Sequence, residues 1–314
     1  MGKFRDILKS VPGLQSAVKS GRELRKRLLL GPLWPVRRQR LMRQPRMSLN
    51  KFAALVLRPG DVVLDIGANA GEMSLLMASC VAPAGRVYAF EPQPDCFLEL
   101  QRSAESAPAL NLSAFSLALS DAGGPVTLLK DMRDGGGAST LMAAHADREV
   151  AARNAEFSPT PVTATTLDAF CEASALAPDF LKIDVEGAEE LVIRGGRKTI
   201  AAALPLIWFE CWGGLENGAQ INGNLGHFAQ LSAAGYKFFL ATIFKLNDRW
   251  IPESDPVNPA QLLPFDPLML ESSPAMGADV LAAAGDDLVR LRDSGLISNA
   301  DAGSHLRGFA AGGR

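Results

Sequence analysis

Hydrophobic residues in this chain gather in short continuous runs instead of alternating with polar ones. Positions 62–66, 86–90, 112–118, 179–184 and 205–210 each hold such a run, the pattern of strands buried on both faces. Stretches of helical character separate most of them, at 71–80, 94–106, 188–203 and 224–234. This repetition predicts a doubly wound α/β fold, a mostly parallel sheet with helices on both faces. Two more strand patterns, 125–129 and 160–166, fall in a long interruption before position 179, which also carries the turn Gly135-Gly136-Gly137. The runs at 235–240 and 266–271 read as final strands that include an antiparallel edge strand, and 279–292 reads as a last helix.

Charge divides the chain further. Residues 1–50 hold 13 Lys and Arg against Asp6 and Glu23, a net of +11, which leaves −13 on the remainder. The predicted organisation is a basic arm over 1–47, a body over 48–273 and a partly helical or disordered tail over 274–314. Of the 314 residues 47% are apolar, ample for a core, which excludes disorder for most of the chain. No run approaches the roughly 18 apolar residues of a membrane span; the longest candidate, 200–209, is broken by Pro205. Cys80, Cys96, Cys171 and Cys211 are too scattered for a zinc ribbon or a redox pair. Together with the lack of a secretory signal pattern, they point to a reducing, cytoplasmic setting. The arm, with Leu and Trp among its bases, suits the inner face of an anionic membrane, at about 1 kcal/mol per base near the surface. A solvated extension and an organellar transit peptide are alternatives. Nucleic acid is a poorer partner, since the acidic body continues no basic face.

Chemistry concentrates at Val62-Val63-Leu64-Asp65-Ile66-Gly67-Ala68-Asn69-Ala70-Gly71, a buried strand that ends in an acid and turns through glycines into a helix. In doubly wound folds ligands bind outside the carboxyl ends of the strands, so this turn is the expected cofactor floor. Dinucleotide sites use G-x-G-x-x-G to bring helix N–H groups to a pyrophosphate, whereas here Gly67 and Gly71 are separated by three residues. An acid at position 65 repels a pyrophosphate and attracts a cation, which favours S-adenosylmethionine with its ammonium and sulfonium groups. Glu91, ending the next strand, is placed to accept ribose hydroxyls. Ser120 and Asp121, after the third strand, are the expected cradle for the base. Asp65, Gly67, Asn69, Gly71, Glu91, Ser120 and Asp121 form the candidate cofactor set.

Four blocks then stand in order: Asp65-Ile-Gly-Ala-Asn-Ala-Gly71, Ala89-Phe-Glu-Pro-Gln-Pro94, Thr166-Leu-Asp-Ala-Phe170 and Phe180-Leu-Lys-Ile-Asp-Val-Glu-Gly-Ala-Glu189. Together they resemble the FkbM family of S-adenosylmethionine-dependent methyltransferases, over roughly residues 57–236. The Lys-Ile-Asp-Val-Glu-Gly piece is the most specific. The resemblance implies a class I methyltransferase fold and O-methylation of a sugar, glycoconjugate or polyketide hydroxyl; it does not reach the arm or the tail.

Methylating an alkyl hydroxyl requires in-line placement and a group to take the proton. Asp184 and Glu186 follow the fourth strand and Glu210 ends the fifth, so all three belong on the cofactor rim. Such a set also suits a hard cation such as Mg²⁺, with Asp184 and Glu210 as the candidate ligands. Metal-using methyltransferases that the chain resembles carry acids at these strand ends. The alternative is that Asp184, Glu186 and Glu189 only decorate a helix N-terminus. Lys182 in the same strand is placed to pair with Asp184 or Glu210, which weakens the case for a metal. His227 is a further candidate base, against an ordinary helix-start histidine; His145 falls in the long interruption and His305 in the tail. Trp208 and Trp212 flank Glu210, and Trp212 suits either a sugar face or the core. Two rival functions remain: an NAD-linked oxidoreductase, disfavoured by the missing third glycine and by the lack of a His/Lys or Tyr/Lys hydride-site pair, and a non-catalytic module docking through its arm to membrane or nucleic acid.

Overall fold

A computed structural model describes residues 34–44, 46–132, 138–143, 146–147, 156–213, 215–216, 219–220, 226–246, 249–268, 270 and 276–298. Most of the basic arm, the Gly135-Gly136-Gly137 turn, His145 and His305 lie outside these residues. Helices α1 (Trp34–Met42) and α2 (Leu49–Val56) lead into strand β1 (Val62–Ile66), helix α3 (Glu72–Val81), β2 (Arg86–Phe90), α4 (Pro94–Glu105) and β3 (Leu112–Phe115). Then come β4 (Ala118–Ser120), β5 (Gly124–Asp131), β6 (Phe157–Thr166), α5 (Leu167–Ser174), β7 (Phe180–Ile183), α6 (Glu189–Gly195), α7 (Arg197–Ala203) and β8 (Leu206–Gly213). The two-residue strands β9 (Leu215–Glu216) and β10 (Ala219–Gln220) precede α8 (Gly226–Ala233) and β11 (Lys237–Leu246). Short strands β12 (Arg249–Trp250) and β13 (Leu263–Pro264), then β14 (Met276–Ala283) and α9 (Asp286–Asp293), complete the order. Among the described residues, no helix is long and apolar enough to cross a membrane.

The main sheet runs β12-β11-β14-β8-β7-β1-β2-β3, with β13 paired to β11. Strands β3, β2, β1, β7 and β8 are parallel, and β14 lies antiparallel between β8 and β11. Period-2 alternation sends neighbouring residues to opposite faces. Val63, Phe180, Leu206, Trp208 and Leu281 pack on one side with Phe52 of α2 and Leu75 and Leu76 of α3. Leu64, Ile66, Leu181, Ile183, Phe209 and Val280 pack on the other with Ile193 of α6 and Phe228 of α8. On the first face the same strands carry polar groups toward their carboxyl ends: Asp65, Lys182 and Glu210, with Asp279 opposite Glu210.

Three expectations are corrected. The run at 112–118 is not one strand: the chain leaves the main sheet after Phe115, and β4 pairs with β6 in a separate sheet ordered β4-β6-β5. The described residues of 266–271 (266–268 and 270) form no strand. The last long strand is β14, whose alanine-rich stretch favours helix locally but pairs along both edges, so tertiary pairing overrides propensity. The expected helix at 279–292 shrinks to α9, and β14, within the stretch expected as a tail, lies inside the main sheet.

Candidate active site

The turn after β1 is fixed by backbone sterics. Gly67 has φ +81°, and a Cβ there would collide with the backbone carbonyl of Asp184, so glycine is required where the β1 turn meets the end of β7. Asn69 follows at φ +47°, a left-handed conformation that Asn tolerates better than most residues. Gly71, at φ +82°, lets α3 pack on α4; a Cβ would sit 2.7 Å from Leu100 Cδ1.

A cavity opens at this turn, lined by Gly67, Asn69 and Glu91. The Glu91 carboxylate accepts from the backbone N–H groups of Asn69 and Gln93, each at 2.8 Å. Those bonds set its orientation and leave lone pairs over for ligand hydroxyls. Burial pushes its carboxyl above the ordinary range, with the two N–H donors and Lys182 working against that. Leu117, Leu119 and Leu128 supply an apolar wall. Thr140 closes one side, its hydroxyl donating to the Glu186 carbonyl at 2.7 Å and its backbone bridging Leu129. The lining suits a nucleoside: an acceptor-only group for ribose hydroxyls and an apolar slot for a flat base.

Asp65 lies beneath the floor and does not line the cavity. It is fully buried, accepting from the Ser74 hydroxyl at 2.6 Å and facing Lys182 Nζ at 3.3 Å. Its cation is therefore a lysine of the chain. Lys182 donates to the Gly67 carbonyl at 2.7 Å and meets Asp184 Oδ2 at 3.2 Å, so one ammonium ties together the ends of two strands by one hydrogen bond and two ion pairs. Burial opposes its charge, but Asp184 and Asp65 outweigh burial and hold the ammonium above the ordinary lysine range. Lys182 has taken Asp65 and Asp184 as partners, and Glu210 is not one of them. Ser120 and Asp121 also face away from the cavity: Ser120 is buried against Gly195, and Asp121 pairs with Arg194 at 2.6 Å, a bond that lowers its carboxyl pKa. The apolar slot is instead formed by the residues just before them.

Asp184 and Glu186 line the cavity, and both meet Glu210; one oxygen of each of the three acids lies within 4.8 Å of the others. Glu210 Oε1 accepts from Trp212 Nε1 at 2.7 Å. Burial, then the charges of Glu186 and Asp184, push the Glu210 carboxyl well above the ordinary range. Asp279, opposite Glu210 on β14, is raised to about 7, first by burial and then by Asp184. Glu186 itself sits at φ +54°, an uncommon conformation for a side chain of its size. Glu189 braces this turn: its Oε1 accepts from the backbone N–H of Val185 at 3.1 Å and of Gly187 at 3.2 Å.

Burial raises the Glu189 carboxyl to about 7. The folded chain then binds this proton more tightly than the unfolded chain, so stability falls as pH rises from the ordinary value of 4.5 through about 7. Thermal melts between about pH 5 and 8 are expected to fall with pH, and less steeply in Glu189→Gln, which keeps the acceptor oxygen. Asp279 adds a slope of the same sign that the variant retains. Identical slopes would show that Glu189 does not titrate in this window.

His227 is 7% exposed and packs in the core, its ring edge-on to Phe209 at 5.2 Å and against Phe228 at 4.3 Å. It does not line the cavity. Sequence reasoning missed Gln93, Thr140 and Asp279. Gln93 lies inside the Glu-Pro-Gln-Pro block and was legible there; Asp279 was hidden by an alanine-rich stretch read as helix.

The methyltransferase FkbM domain, as a family model, matches residues 65–238, more than half of the chain. The chain is 28% identical over 169 residues to 2-O-methyltransferase NoeI of Sinorhizobium fredii (strain NBRC 101917 / NGR234), covering 51% of this chain and 68% of that protein. A shorter stretch, 48 residues at 52% identity, matches 31-O-demethyl-FK506 methyltransferase FkbM of Streptomyces tacrolimicus, covering 15% of this chain and 18% of that one. A crystal structure of methyltransferase FkbM from Methylobacillus flagellatus KT aligns at 16% identity and a TM-score of 0.35, covering 51% of this chain and 39% of that chain.

Proposed function

We propose, given that this chain belongs to the FkbM methyltransferase family and is an S-adenosylmethionine-dependent methyltransferase, that it O-methylates a hydroxyl of a sugar or glycoconjugate. The observation that carries this reading is the shared rim: Asp184 and Glu186 line the cavity at the β1 turn and also meet Glu210. S-adenosylmethionine, when bound, supplies an electrophilic methyl group. Gly67, Asn69 and Glu91 hold the nucleoside, Glu91 accepting from the ribose hydroxyls, and Leu117, Leu119 and Leu128 flank the base. Asp65 and Gly71 support that floor from below. At the rim Asp184 would take the proton of an acceptor hydroxyl held in line with the donor's methyl group. Lys182 fixes Asp184 from one side, and Trp212 holds Glu210 by donating its indole N–H. Positioning of this kind supplies several kcal/mol of the barrier reduction.

The three acids have the donor set of a hard cation, but Asp184 already shares an oxygen with Lys182 and Glu210 one with Trp212. Transfer is accordingly expected to be unchanged when Mg²⁺ is added after chelation; a gain above about tenfold would assign Asp184 and Glu210 to a metal.

Incubating the chain with labelled methyl donor and separated glycan, lipid, polyketide and protein fractions tests the acceptor. Label is expected as an ether on the carbohydrate. Label confined to protein side chains or to non-sugar hydroxyls would overturn the sugar reading.

A further inference from the structure

Beyond the acid cluster the same face of the sheet carries three aromatic rings in mutual contact, and we propose that Trp212, Phe244 and Trp250 form the shelf on which an uncharged pyranose ring of the acceptor lies. This rests on the hydroxyl-methylation reading above and adds where the acceptor binds and which sugars it admits. Trp212 stands two residues beyond Glu210 on β8, so both side chains leave the same face, and the bond from Nε1 to Glu210 fixes the indole. Phe244 lies 5.2 Å from Trp212 at 71°, and Trp250 stacks on Phe244 at 6.1 Å and 19°. Gly277, on the strand between β8 and β11, makes room: any Cβ there would collide with the Phe244 ring. Trp250 is 51% exposed, so this aromatic cluster reaches the solvent at Trp250.

The chemistry of the aromatic cluster selects its occupant. An aromatic face is electron-rich and attracts the positively polarised C–H face of a pyranose, whose hydroxyls project at the edges. Those hydroxyls donate, and the neighbouring carboxylates of Asp184 and Glu186 accept. A sugar acid or phosphate would meet Asp184 and Glu186 as like charges. A cationic amine gains little at Trp212, because Lys245 Nζ already lies 5.3 Å over that ring. What remains is a neutral, polyhydroxylated ring, with one edge hydroxyl turned toward Asp184 and the cavity.

The probes are the methyl glycosides of neutral pyranoses, with their uronic acid and 2-amino counterparts, followed by saturation-transfer NMR in the presence of S-adenosylhomocysteine. The neutral glycosides are expected to bind the wild-type chain best. Trp250→Ala is expected to weaken that binding about tenfold, and Trp250→Phe to recover most of it, while S-adenosylhomocysteine affinity stays at the wild-type value. Wild-type binding of only the charged sugars, or of none of the panel, overturns the proposal, as does Trp250→Ala binding and methylating sugars like the wild type. The failure of the parent reading looks different: neutral glycosides bound through Trp250 with no methyl transferred to any hydroxyl would sink O-methylation and leave the shelf standing.

Discussion

Replacing Lys182 by Met is expected to abolish methyl transfer and to lower the melting temperature by roughly 10 °C. The side chains are similar in length, so packing is nearly conserved and the loss is electrostatic. Asp65 is fully buried, and its remaining hydrogen-bond donor would be the Ser74 hydroxyl. Removing one partner of a buried ion pair costs about 3–5 kcal/mol, because the other charge is left uncompensated. The same change frees the Gly67 carbonyl and Asp184, loosening the cofactor turn and the proposed proton acceptor together. Adding Asp65→Asn removes the stranded charge and is expected to restore most of the melting temperature without restoring turnover. A Lys182→Met chain that melts and turns over like the wild type would show that the buried ammonium holds neither element.

Glu91→Ala should weaken binding of S-adenosylhomocysteine about hundredfold, and Glu91→Gln about tenfold. In the wild type each Glu91 oxygen accepts from one backbone N–H, of Asn69 or Gln93. Alanine leaves both donors without that partner beside the cavity and removes the acceptor offered to the ribose. Glutamine keeps one acceptor oxygen and turns an amide toward the other N–H, hence the intermediate loss. Calorimetric titration reads both numbers, and wild-type affinity in the alanine variant would move the nucleoside away from Glu91.

Much of this site was legible in the sequence because its residues are local to strand ends. The strands at 62–66 and 86–90 coincide with β1 and β2, since a buried parallel strand shows as an unbroken apolar run. Glu91, Asp184, Glu186 and Glu210 follow such runs directly, and topology does the rest by bringing parallel carboxyl ends to one rim. Asp65 was visible as an acid in need of a cation, but its partner comes from position 182, and no local pattern states that pairing. The separate sheet of β4, β5 and β6 escaped because leaving a sheet edge after Phe115 has no composition signature. Asp279 and the aromatic cluster escaped for a similar reason. They are assembled across β8, β14 and β11, and β14 was masked by its own helix propensity.

The central claim is that the cavity at the β1 turn holds the methyl donor with its ribose on Glu91 and its methyl group facing the acid cluster. A crystal structure of the chain with S-adenosylhomocysteine tests it most directly. The ribose hydroxyls are expected at about 3 Å from the Glu91 carboxylate, the base against Leu117 and Leu119, and the sulfur on the Asp184 side. A nucleoside bound elsewhere, or one lying in the cavity with its sulfur turned from Asp184, would contradict the account.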